Sequence, residues 1–179
     1  VWNLVQEGVA IDGITQNLTQ VPNLFRAAQL VGAAVRQVFA ADGPTLRAQG
    51  LGFDVSILLG GQIGTQPPRL FLIYAAGNFI EATVETPFLQ IGEHKYGKPI
   101  LDRVLSPATP LDDGITLALI SMDSTLRSNL TVGLPVDLTV IRRDALAVSL
   151  RRRIDETDPY FAFLRQRWSE SLREAYRAL

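Results

Sequence analysis

Few side chains in this chain are of a type and spacing that could do chemistry, and position accounts for most of them. His94 is the single histidine. It cannot build a two-histidine zinc site, and Glu93 beside it does not supply the nucleophile that a triad needs. Gly60-Gly61 could cradle an anion, but a phosphate loop needs a helix N-terminus after its glycines, and here a polar turn and an apolar run follow. The carboxylate pairs Asp112/Asp113 and Asp155/Glu156 stand at expected helix starts, where the macrodipole favours anions without any catalysis. Arg142-Arg143 and Arg151-Arg152-Arg153 have the charge to meet nucleic acid. Asp155, Glu156 and Asp158 follow at once, so a salt-bridged patch is the better reading. The run Asp123-Ser124-Thr125-Leu126-Arg127-Ser128-Asn129 is different: an acid, three hydroxyls and an amide end an apolar helix just before a strand. Helix-end capping explains much of it. The sharper alternative is a site that serves a nucleophile supplied from elsewhere.

The composition narrows the classes. With 179 residues, 47% hydrophobic and 20% charged, the chain can bury a core of its own and reads as one domain over residues 1–179. A formal net charge of −1 favours neither nucleic acid nor an anionic membrane. The absence of cysteine removes disulfides, thiolate metal sites and cysteine nucleophiles, and suits a cytoplasmic setting. No apolar run approaches membrane-spanning length. Val1, Leu4 and Val5 look like the last turns of a helix ending at Gly8, so the expectation is that the chain opens inside an element and lacks what precedes it.

The elements that must position these residues follow from periodicity. Asp12-Gly13 to Thr19-Gln20 is polar and aperiodic, which predicts a surface loop. Leu24, Ala28, Val31, Val35 and Val38 predict a helix from Asn23 to Ala41, stopped by Asp42-Gly43-Pro44. Phe53, Val55, Ile57 and Leu59 alternate as a strand covered on one side, whereas Leu70 to Tyr74 is apolar on both faces and should be a central strand covered on both. Phe79 to Thr83 and Phe88 to Ile91 predict two further strands. A helix over Lys95 to Leu105 should turn Ile100, Leu101, Val104 and Leu105 to the core. The stripe of Leu111, Ile115, Leu119, Met122 and Leu126 predicts another, ending near Ser128-Asn129. Val136 to Val140 and Ala145 to Leu150 predict a hairpin turning at Arg142-Arg143-Asp144. Asp158-Pro159 then starts a terminal helix whose stripe is Phe161, Leu164, Trp168, Leu172 and Tyr176. Runs of strands separated by helices, with hairpins in place of crossovers, make an α+β fold with antiparallel sheets.

Three stretches carry a family resemblance: Phe88-Leu-Gln-Ile-Gly-Glu-His-Lys-Tyr-Gly-Lys-Pro-Ile-Leu-Asp-Arg103, Asp123-Ser-Thr-Leu-Arg-Ser-Asn-Leu130, and the tail Arg151-Arg-Arg-Ile-Asp-Glu-Thr-Asp-Pro-Tyr-Phe161. They resemble Anbu, a family of bacterial proteasome-related peptidases with the N-terminal-nucleophile hydrolase fold of proteasome β subunits. The resemblance implies a four-layer αββα sandwich of two antiparallel sheets, with the opening strands missing from these residues. It also implies an N-terminal threonine whose hydroxyl attacks the peptide carbonyl while its own α-amine acts as base. That nucleophile, its lysine and aspartate, and the oxyanion amide would lie upstream, leaving no catalytic residue within residues 1–179. Gly92-Glu93 stands where proteasome β subunits carry Gly-Ser. Ser128-Asn129 matches their Ser-Gly step, with Thr125 at the aspartate position and Asp123 the nearest acid. Glu93, Asp123 and Ser128 are therefore the expected supporting residues. The resemblance further implies a peptide or unfolded-protein substrate, no cofactor or metal, no nucleic acid or membrane partner, and a homo-oligomer built as a ring or helix. Helix faces such as that of Trp168 would meet neighbouring subunits; an ATPase partner is left open. The alternatives are a non-catalytic structural subunit of such an assembly and, from another class, a small-ligand binding domain.

Overall fold

The structure is a computed structural model and describes residues 1–11 and 13–179. Its contacts fall into two compact units, one of Val1–Ile91 with Arg142–Leu146, the other of Gly92–Ile141 with Ala147–Leu179. The secondary structure is mixed, with three small antiparallel sheets among the described residues.

In the first unit α1 (Trp2–Glu7) ends where Gly8 adopts φ 143, and its N–H reaches the Leu4 carbonyl at 2.8 Å. The segment expected to be a loop instead pairs β1 (Val9–Ile11) with β2 (Ile14–Gln16). Three-residue strands are too short to show alternation, and Asp12 of the expected loop lies outside the described residues. α2 (Leu24–Ala48) begins on the Asn23 cap, whose Oδ1 accepts the Arg26 N–H at 2.9 Å. It runs through Gly43-Pro44, where a stop was expected. Proline removes one intrahelical donor, but the helix continues to Ala48 and closes over Gly50, at φ 72. There the Gly50 N–H bonds the Arg47 carbonyl and the Leu51 N–H the Leu46 carbonyl, a Schellman closure.

β3 (Ser56–Gly61), β4 (Arg69–Tyr74) and β5 (Phe79–Glu81) form an antiparallel sheet with β4 in the centre. The expected fourth strand at Phe88–Ile91 is irregular, consistent with Pro87 denying that stretch a donor. Ile57, Ile73 and Phe79 share a register row, as do Leu59 and Phe71. Phe71 and Ile73 are fully buried, with Leu24 and Ala28 of α2 beside Phe71 and Val31, Ala34 and Val35 in the cluster that holds Ile73. The row Leu58, Leu72 and Ile80 faces the other way, and Leu58 and Ile80 remain 38% and 47% exposed. β4 is therefore central as expected but is not covered on both faces. α2 meets the β4–β5 turn without side chains between them: a Cβ on Gly32 would stand 2.1 Å from the Gly77 carbonyl oxygen, to which Arg36 Nη1 donates at 2.8 Å.

The second unit holds α3 (Lys98–Val104), α4 (Leu111–Ser128), β6 (Val136–Val140), β7 (Leu150–Ile154) and α5 (Pro159–Arg177). Pro99 falls in the first turn of α3, where its missing donor costs nothing. Leu101 is buried, but Val104 is 52% exposed, against expectation. Leu119, Ile120, Ile154, Phe161 and Leu164 form the core. β7 lies further along than the expected strand at Ala145 to Leu150, so the three arginines are strand residues paired with β6. The reading of Arg151 to Arg153 as a salt-bridged patch places them outside any strand. The buried Ile154 supplies the anchor that sets the register, opposite Val136. α5 begins on the expected cap, with Asp158 Oδ1 accepting the Phe161 N–H at 2.9 Å. Its stripe is buried only at Phe161 and Leu164; Leu172 and Tyr176 are exposed.

Candidate functional site

The expected supporting residues all belong to the second unit, and the structure gives each a distinct setting. Glu93 sits in the loop before α3. Its Oε1 accepts the Lys95 backbone N–H and its Oε2 accepts Asn129 Nδ2, both at 3.0 Å. The Lys95 N–H chiefly, assisted by Asn129, holds the carboxyl below the ordinary glutamate value. Asn129 is the C-cap of α4, and its Oδ1 also accepts from the Thr131 N–H and hydroxyl at 2.8 and 2.7 Å. Glu93 is thereby tied to the C-terminal end of α4, the step where the resemblance placed a supporting pair. His94 is exposed, its Nδ1 3.1 Å from the Gly92 carbonyl oxygen in a local turn.

Asp123, on α4, is only 2% exposed. Arg165 Nε of α5 donates to its Oδ1 at 2.6 Å, and Arg127 Nε, one turn along α4, to its Oδ2 at 3.1 Å. Both oxygens are taken by guanidinium donors, so the carboxylate joins two helices and is not placed to withdraw a proton. The spacing Asp123 to Arg127 was readable as an i,i+4 pair. Arg165 was not, because nothing in sequence links residues 42 positions apart. Thr125 is buried with its hydroxyl donating to the Ser121 carbonyl at 3.0 Å. These small polar residues admit Gly97: a Cβ there would lie 2.2 Å from Ser121 Oγ and 3.0 Å from Thr125 Oγ1. Sequence reasoning missed this contact, whose signal was a glycine beside a helix start and hydroxyls spaced i,i+4.

Ser128 is exposed and shares with Asp123 an open groove of about 500 Å³, also lined by Lys95, Tyr96, Trp168 and Leu172. The structure thus brings Asp123 and Ser128 to one groove; Glu93 is not among its lining residues. The arginine run resolves into separate pairs: Arg153 holds Asp137 bidentately at 2.8 and 2.7 Å, and Arg152 pairs with Asp158. That accords with the salt-bridge reading, with Asp137 as the partner that the sequence did not suggest.

No family model matches the chain, and no curated protein matches it. Solved structures do. The helical assembly of the Anbu complex from Pseudomonas aeruginosa is 46% identical over 99% of this chain and 73% of that one, with a TM-score of 0.87. Anbu from Yersinia bercovieri, an ancestral beta-subunit, is 49% identical over 92% of this chain and 67% of that one, with a TM-score of 0.84. This chain belongs to the Anbu family. Anbu from Hyphomicrobium sp. is similar in the same way, at 45% identity over 99% of this chain and 73% of that one, with a TM-score of 0.84. The mixed α+β fold with small antiparallel sheets is the Anbu fold.

Proposed function

We propose that these residues form the body of a proteasome-like peptidase subunit that hydrolyses peptide bonds with an N-terminal threonine supplied upstream of them. The observation that carries this reading is the likeness to Anbu beta-subunits at 45 to 49% identity across at least nine-tenths of the chain. In the reaction the threonine hydroxyl oxygen adds to the peptide carbonyl as the α-amine takes its proton. The amine returns that proton to the departing nitrogen, leaving an ester that water then hydrolyses. Within this chain the Glu93–Asn129 tie and the groove of Asp123 and Ser128 would hold the surroundings of that nucleophile, as positioning groups rather than catalytic residues.

The uncovered row of Leu58, Leu72 and Ile80 supports a second sheet stacked on the first, the inner half of a four-layer αββα sandwich. The assembly is a homo-oligomer by the same reading, since the Pseudomonas aeruginosa relative is a helical assembly. A cytoplasmic setting and peptide or unfolded-protein substrates follow from it. Among the described residues no helix is long and apolar enough to cross a membrane.

The test is an electrophilic peptide probe that esterifies hydroxyl nucleophiles, applied to the full-length subunit, with the adduct mapped by mass spectrometry. The expected adduct is on an amino-terminal threonine, and peptide hydrolysis falls in proportion to labelling. Hydrolysis that persists with that residue fully modified, or an adduct on another residue that abolishes activity, overturns the proposal. So does a subunit that neither labels nor hydrolyses peptides, which would make it a structural member of the assembly.

A further inference from the structure

The groove between α4, α5 and the loop before α3 has an imbalance of charge that its structural role does not use. Asp123 is the one carboxylate in its wall, and Arg165, which is not among the lining residues, makes the shorter bond to it. Arg127 approaches the same carboxylate side-on, Nε alone donating at 3.1 to 3.3 Å, so the outward fork of Nη1 and Nη2 is not spent on it. The Arg127 side chain is 52% exposed. Lys95 adds an exposed ammonium to the lining, with no hydrogen bond to its Nζ among the described residues and with the Glu93 carboxylate as its electrostatic neighbour. Two cations therefore line a space whose single carboxylate, Asp123, also pairs with Arg165 outside the lining. The remaining lining is Tyr96, Trp168 and Leu172, with the serines Ser124, Ser128 and Ser169.

We infer that this groove binds the free carboxyl end of a peptide with an apolar terminal residue. A guanidinium fork accepts a carboxylate bidentately and an ammonium adds a point charge, while the apolar wall takes the side chain beside it. A volume of about 500 Å³ lies within the roughly 300 to 1,000 Å³ typical of such pockets and exceeds what a bare inorganic anion would fill. A phosphate would leave Trp168 and Leu172 in water; a neutral apolar ligand would leave the Nη fork of Arg127 without an acceptor. The inference stands on this groove and does not require the hydrolase reading.

The experiment measures fluorescence polarisation of an amino-terminally labelled tetrapeptide ending in Ala-Leu, as free acid and as carboxamide, on the full-length subunit in its assembled form. The free acid is expected to bind at least about tenfold more tightly than the amide, the difference expected for a charge-assisted pair. Lys95→Gln and Arg127→Gln should each cost about tenfold, and Arg127→Lys, which keeps charge but loses the fork, should fall between. Lys95 is exposed and its side chain holds nothing in place, so K95Q separates loss of binding from loss of fold. Equal affinity for acid and amide, binding unchanged in K95Q and R127Q, or no binding of the acid at millimolar concentration overturns the inference. Displacement of the peptide by inorganic phosphate at equal concentration also overturns it, because the groove would then be a simple anion site. Peptide hydrolysis is read separately, in the wild type: its absence while the acid binds in preference to the amide overturns the hydrolase proposal and leaves this inference standing.

Discussion

Two regions of the molecule solve the same problem of holding a long helix with different materials. Around α2 the interior is hydrocarbon: Leu30, Ala34, Val35 and Ile73 are fully buried, and the nearest backbone approach is glycine on glycine. Around α4 the interior admits polar groups. Ser121, Asp123 and Thr125 are the buried polar residues among those described, and all three lie on that one helix. Hydrophobic burial is indifferent to charge and tolerates no loss of volume. A buried carboxylate is directional and depends on both of its cations. The first unit should therefore fail when atoms are removed, and the second when a charge or a partner is changed.

The largest effect is expected from Leu30→Ala, which empties a site with no exposure and should cost about 2 to 5 kcal/mol. Hydrogen exchange would show the loss along α2 and β4, with α4 and α5 keeping their protection; a uniform loss would break the contrast between the regions. Next comes Asp123→Ala. It leaves two guanidiniums without their anion, but both side chains are partly exposed and can turn to water, so the cost is about 1 to 3 kcal/mol and not the larger figure for a sealed charge. Here exchange should rise in α4 and α5 while α2 is unmoved.

The smallest effect concerns pH. Asp158 is held below the ordinary aspartate value of 3.8, first by the Phe161 backbone N–H and then by Arg152. Its contribution is fully present above that ordinary value. It fades as pH falls through the lower value of the folded state, since the unfolded chain then binds the proton first. Thermal melting between about pH 5 and about pH 3 should cost the wild type more than Asp158→Asn, which has no proton to take up in that window. An equal decline in both would remove Asp158 from the account of acid sensitivity.

Local chemistry made part of this architecture legible. The Asp158 cap with its proline and the apolar stripe of α2 each declare themselves within a few helical turns. What stayed hidden depended on partners distant in sequence. Pro44 reads as a stop because the chain alone does not reveal that the closure waits for Gly50. The arginines of β7 read as a patch because their pairing with Asp137 and their register against β6 are tertiary facts. The run from Asp123 to Asn129 was legible as a helix end: Asn129 caps α4, and Asp123, Ser124, Arg127 and Ser128 wall a groove. The use of Asp123 was not, because it is decided by Arg165 on another helix.

The row of Leu58, Leu72 and Ile80 has a practical corollary. Water wets such a surface at a thermodynamic penalty, and a flat β face is a ready template for others like it. Residues 1–179 purified by themselves would thus be sticky in proportion to concentration, clumping through one side of one sheet while the opposite, helix-clad side stayed inert.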